Sequence, residues 1–127
     1  MTKRLGKLEL EVMKIIWSKD KATIRQVWEK LYPEKKLAYT TVATVTRKVE
    51  EKGFLAHEKQ DRTYVYTPLI KQAEVSQSML RELIDRLFDG SAAQMVTALV
   101  QSKELTLDDI ERIQRFVREQ SGETRDA

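Results

Sequence analysis

The chain has 127 residues, 41% of them hydrophobic, with no cysteine and a formal net charge of +3. That length holds one compact domain or a small domain with an appendage, and the composition is that of an ordered protein. The lack of cysteine excludes disulfides, thiolate metal sites and cysteine nucleophiles. No apolar run approaches the roughly 20 residues of a bilayer span, so no membrane partner is expected. The opening MTKRLGKLELEV places charges where a signal peptide needs its apolar stretch, and a cytoplasmic location is expected.

The charge is unevenly spread. Met1 to Ile70 holds 15 Lys and Arg against 9 Asp and Glu, a balance of +6, whereas Lys71 to Ala127 holds 8 against 11, a balance of −3. A basic first half beside an acidic second half is expected where only the first half meets a polyanion. Two solvated surfaces would give the same asymmetry.

In chain order, Leu5 to Ser18 reads as a helix, with Leu8, Val12, Ile15 and Ile16 at three- and four-residue spacing and Met13 and Trp17 widening the stripe. Thr23 is the expected N-cap of a second helix carrying Ile24, Val27, Trp28 and Leu31, which Pro33 stops. A third helix is expected from Tyr39 to Lys52, with Val42, Val45 and Val49 inward and Gly53 at its end. Phe54 to Glu58 has strand character, Lys59 to Arg62 is turn-like, and Thr63 to Thr67 is β-branched and aromatic before Pro68. Two strands about a polar turn make a hairpin. Helix, helix, helix, hairpin is the order of a winged helix-turn-helix, so the predicted fold is mainly α with a β-hairpin wing.

Beyond Pro68 the strand pattern stops. Val75, Met79, Leu83 and Leu87 mark a fourth helix, widened by Leu80, Ile84 and Phe88 and ended by Gly90. Met95, Val96, Leu99 and Val100 mark a fifth, capped by Ser91. Ile110, Ile113 and Val117, with Phe116, mark a sixth, capped by Thr106 and supported by Asp108 and Asp109 near its positive end. Residues 121–127 are polar and expected to fray. The expected division is a DNA-binding domain over 1–70 and a helical dimerisation domain over 71–120. Three short helices with broad apolar stripes cannot close a large core alone, so a second copy is the expected completion, with Val75, Met79, Leu83, Leu87, Met95, Leu99, Ile110, Ile113 and Val117 at the contact. A fold-back onto the first domain is the alternative.

With its valines inward, the third helix leaves Thr40, Thr41, Thr44, Arg47, Lys48 and Glu51 for solvent or DNA. Threonine hydroxyls suit phosphate oxygens and base edges, and Arg47 can make two bonds to a guanine edge or clamp a phosphate. Tyr39 and Thr40 stand at the helix N-terminus, which attracts phosphate. Four threonines, at 40, 41, 44 and 46, cost helix propensity that lysine or glutamate would not, which points to a purpose other than solubility. Lys59 and Arg62 flank the wing tip and can reach a phosphate or the minor groove, or be plain turn residues. Lys3, Arg4, Lys35 and Lys36 add general electrostatic pull. The single histidine, His57, reads as structural, and no phosphate loop, nucleophile elbow or catalytic carboxylate pair is present. No enzyme, cofactor or metal is expected.

The segments LGKLELEVMKIIW, LAYTTVATVTRKVEEKGFL, RTYVYTPL and SMLRELIDRLFDGSA closely resemble the BlaI/MecI penicillinase-repressor family, from about Leu5 to Val117. The resemblance implies a homodimeric transcription repressor on an inverted-repeat operator of double-stranded DNA, one recognition helix per half-site, with the helices after Pro68 interlocked. In the family's β-lactam branch a membrane-bound sensor protease leads to cleavage between Asn and Phe in the dimerisation region. That bond falls at Ala98-Leu99 here, where both residues are absent, so the sensor is left open. The copper branch binds metal through C-terminal cysteines, which this chain lacks. The competing readings are a winged-helix protein-interaction module that never touches DNA, a DNA coater without sequence preference, and a small enzyme.

Overall fold

The computed structural model describes residues 4–122. Nine elements follow one another: α1 Lys7–Lys19, β1 Ala22–Thr23, α2 Ile24–Leu31, α3 Tyr39–Glu51, β2 Leu55–Gln60, β3 Thr63–Pro68, α4 Gln72–Phe88, α5 Ala92–Gln101 and α6 Leu107–Ser121. The chain divides between Gln77 and Ser78 into two compact units.

In the first unit, α1 buries Val12, Met13 and Ile16 completely, because three- and four-residue spacing brings them to one side. They meet Val27 and Leu31 of α2, Val42 and Val49 of α3, and Leu55 and Tyr66 of the sheet in one core. Each such side chain contributes roughly 1.5–3 kcal/mol by leaving water. α1 begins two positions later than its pattern suggests: the Gly6 backbone N–H donates to Glu9 Oε1 at 2.6 Å, so Gly6 is the N-cap. Thr23 caps α2 as expected. Its hydroxyl accepts from Gln26 N–H at 3.1 Å, and the Gln26 side chain accepts from Thr23 N–H at 2.9 Å.

The wing is larger than a hairpin. β3 is the central strand, flanked by β2 and by the two-residue β1, in the antiparallel order β1-β3-β2. Ala22 stands opposite Tyr66, and β2 runs from Leu55 opposite Pro68 to Gln60 opposite Thr63. Lys59 and Gln60 therefore belong to a strand, and only Asp61 and Arg62 form the turn, with Asp61 at φ 55°. A two-residue strand has no periodicity to detect, so β1 was invisible to pattern reading. Gly53, at φ 92°, closes α3 and turns the chain into β2. A Cβ there would meet no atom within 4 Å, so its requirement is the backbone conformation and not space.

α4 begins in the first unit. Val75, expected at a dimer contact, is instead buried in the first unit's core, 6% exposed. The second unit is differently made. Ile84 is buried, whereas α5 and α6 bury no residue. Gly90 ends α4 at φ 85°, with its N–H donating to Ile84 O at 3.1 Å. Ser91 caps α5 through Gln94 N–H, and Thr106 caps α6 through Asp109 N–H. The Thr106 backbone N–H in turn holds the Asp109 carboxyl below the usual range. Ser121, expected to fray, is the last residue of α6, Gly122 follows as its C-cap at φ 75°, and residues 123–127 lie outside the described residues, as does Lys3. Among the described residues no helix is long and apolar enough to cross a membrane.

Candidate nucleic-acid interface

α3 is divided lengthwise. Val42, Ala43, Thr46 and Val49 are buried, and Tyr39, Thr40, Thr41, Thr44, Arg47, Lys48 and Glu51 are exposed. Thr40, Thr44, Arg47 and Glu51, flanked by Thr41 and Lys48, recur at three- and four-residue intervals and so share one face, while Tyr39 lies at the helix start on the side of Trp28. Arg47 and Lys48 form no ion pair among the described residues, which leaves their charge available to a partner. Ala38 at the N-cap supplies no side-chain acceptor and the first turn holds no acidic residue, so neither the cap nor the first turn neutralises that positive end.

Two expectations for this helix change. Val45 is only half-buried, and Ala43 and Thr46 occupy the inner face in its place. Thr46 is 0% exposed, and its hydroxyl donates to Val42 O at 2.7 Å. Of the four threonines, this one is a packing residue with a satisfied hydroxyl. The other three are on the outer face.

Lys59 and Arg62 are both exposed at the far end of the wing, one on β2 and one in the turn. The wing is tied to α3 by His57, whose Nδ1 lies 2.5 Å from Glu50 Oε2. The imidazole also stands 4.6 Å from the Tyr64 ring and 5.3 Å from the Tyr66 ring. His57 is thus structural in its contacts. Burial, and then the Glu50 carboxylate, push the Tyr66 phenol above its usual range.

The opposite end of α3 is held by a cluster that the apolar pattern conceals. Trp28 reads as one more core residue of α2, yet it is only half-buried. Its indole Nε1 donates to Leu37 O at 2.9 Å, fixing the turn into α3. Tyr32 and Tyr39 pack on it at centroid distances of 5.4 and 5.9 Å. Both tyrosines are about two-fifths exposed, at 41% and 43%. The four-residue interval from Trp28 to Tyr32 was the available signal.

The C-terminal end of α3 is held by an ion pair. Lys52 Nζ donates to Glu9 Oε1 at 2.6 Å and to Arg4 O at 2.8 Å. Burial raises the Glu9 carboxyl, but the Gly6 N–H and Lys52 outweigh it and leave the group below its usual range. Of the residues expected at a dimer contact, Met79, Leu83, Leu87, Ile113 and Val117 are exposed, and Met95, Leu99 and Ile110 are half-buried. Ala98 and Leu99 lie together on α5, both half-buried.

Three packed helices, a three-stranded wing and a helix with an unpaired basic outer face define a winged helix-turn-helix protein of the DNA-binding regulator class. The sequence pattern of the Penicillinase repressor family matches residues 5–119, and the chain belongs to that family. It is 24% identical over 116 residues to the methicillin resistance regulatory protein MecI of Staphylococcus aureus, covering 91% of this chain and 94% of that protein. It is 34% identical over 92 residues to the transcriptional regulator BlaI of Mycobacterium tuberculosis, covering 72% of this chain and 67% of the relative. Among solved structures it is similar to the monomeric form of Bacillus licheniformis BlaI in complex with the blaP half-operator. The TM-score is 0.51 and the identity 31%, over 58% of this chain and 90% of the other.

Proposed function

We propose that this protein represses transcription by binding an inverted-repeat operator as a homodimer, with the outer face of α3 in the major groove of each half-site. The observation that carries the reading is the separation of α3 into a buried face of Val42, Ala43, Thr46 and Val49 and an exposed face bearing Thr40, Thr41, Thr44, Arg47 and Lys48. A helix of that kind fits the major groove, where Arg47 suits a guanine edge and the threonines suit phosphates and thymine methyls. Tyr39, Lys59 and Arg62 contribute contacts to the sugar-phosphate backbone. The similarity to a BlaI monomer bound to half of an operator supports one subunit per half-site.

The second unit supplies the pairing. Met79, Leu83, Leu87, Ile113, Phe116 and Val117 are all between two-fifths and two-thirds exposed, with Leu87 at 63% and Phe116 at 60%. Faces of that kind are stabilised by a matching copy. Joining two half-site binders turns the second contact into an intramolecular one and raises affinity through effective concentration. Any event that opens the pairing releases the operator. A cut at Ala98-Leu99, in the C-terminal half of α5, is one such event, and a sensor protease is the partner it requires.

The test is binding of the full chain to duplex DNA from upstream of its own gene, against scrambled DNA of equal length, at two salt concentrations. A preference of roughly a thousandfold or more is expected. Equal, salt-sensitive binding to both would mark a general DNA coater, and binding to neither would favour a protein-interaction module. Arg47→Glu is expected to abolish DNA binding and leave the subunit pairing intact.

A further inference from the structure

We propose that Lys36, held over the ring of Tyr32 in the turn that enters α3, is a backbone-phosphate contact that positions the recognition helix on duplex DNA. The inference rests on the DNA-binding reading above and concerns a group outside the helix itself.

Lys35 and Lys36 are adjacent, carry the same charge and are indistinguishable in sequence. Their surroundings differ. Lys35 Nζ lies 3.5 Å from Glu11 Oε2, so its charge is matched by α1. Lys36 Nζ stands 4.9 Å from the centroid of Tyr32 and has no carboxylate partner among the described residues. A ring face attracts an ammonium without consuming its N–H donors. Lys36 is therefore restrained yet keeps its donors and its charge for a ligand. A free lysine loses rotamer entropy when it is fixed, and part of that loss is already taken here.

The ring that restrains Lys36 is itself fixed. Tyr32 packs on Trp28, Trp28 bonds to Leu37 O, and Tyr39, the first residue of α3, packs on the same indole. The ammonium and the start of the recognition helix thus share one aromatic support. A cation so held beside a groove-reading helix suits a phosphate oxygen, which carries no sequence information and fixes register.

The experiment compares the full chain with Lys36→Ala, Lys35→Ala, Lys36→Arg and Tyr32→Leu on an upstream duplex and on a scrambled duplex, across a salt series. Lys36→Ala is expected to weaken binding to both duplexes by the same factor. It should also reduce the slope of log affinity against log salt by about 0.9 for each bound subunit. The gap between wild type and variant then narrows roughly 3.5-fold per subunit from 50 to 200 mM salt. Lys36→Arg should keep the slope, Lys35→Ala should leave it unchanged, and Tyr32→Leu should weaken binding roughly two- to fivefold with the charge retained. An unchanged slope in Lys36→Ala, or the same change in Lys35→Ala, overturns the proposal. Full affinity in Tyr32→Leu overturns the role of the ring. If the wild-type chain binds neither duplex, the DNA-binding reading itself fails, and the two failures are distinct.

Discussion

Replacing Glu9 by alanine tests whether the start of α1 and the end of α3 are held together by charge. The carboxylate accepts from the Gly6 N–H at 2.6 Å and from Lys52 Nζ at 2.6 Å. Its loss leaves one backbone donor and one ammonium without that acceptor. Hydrogen bonds to charged groups are worth about 1.5–3 kcal/mol each, and a full loss of both would approach the cost of breaking a buried pair. Two features reduce the figure: Lys52 keeps its bond to Arg4 O at 2.8 Å, and its side chain is a quarter exposed, so water reaches it. The expected destabilisation at neutral pH is about 2 kcal/mol.

The depressed Glu9 carboxyl sets the pH dependence. A group whose acidity is greater in the folded state contributes stability above its unfolded pKa, and that contribution disappears as pH falls through the folded value. The gap between wild type and Glu9→Ala should be full above the ordinary glutamate range, near pH 4.3, and should narrow on acidification below it. The assay is urea unfolding followed by tryptophan fluorescence at neutral and acid pH. Trp17 and Trp28 both lie in the first unit, so the signal reports that unit alone. Equal stability at neutral pH, or a gap that does not narrow in acid, would refute the reasoning.

Thr46→Val should leave operator affinity unchanged and shift stability by less than about 1.5 kcal/mol, since one hydroxyl bond is lost with little change of shape and no donor is orphaned; a large loss of DNA affinity with the fold intact would put Thr46 on the reading face. Under the proposed pairing, Leu83→Asp, which places a charge on an exposed apolar stripe, should lower the particle mass seen by sedimentation equilibrium from that of a dimer to that of a monomer; an unchanged mass would remove α4 from the pairing.

The helices and the wing were legible because apolar residues at helical spacing and a β-branched run are strong local signals. Caps were legible too: Thr23, Ser91 and Thr106 each accept the expected N–H. What was hidden depended on distant partners. β1 exists only because Ala22 meets Tyr66 across the fold. Thr46 and Thr44 are the same residue type two positions apart, and only the packing of α3 makes one a core residue and the other a surface one. Lys35 and Lys36 differ only by Glu11 and Tyr32, neither adjacent in sequence. Val75 belongs by spacing to the stripe of α4 and by contact to the first unit.

The bareness of α5 and α6 has a cellular consequence. Under the proposed pairing, the second unit has no fixed unfolding free energy of its own; its folded fraction depends on how many copies the cell holds. A newly made chain keeps its apolar faces uncovered until it meets another, and in that interval it is open to housekeeping proteases. Dilution by growth would then act twice, unpairing the subunits and shortening their lifetime, so that repression gives way over a narrow range of protein level.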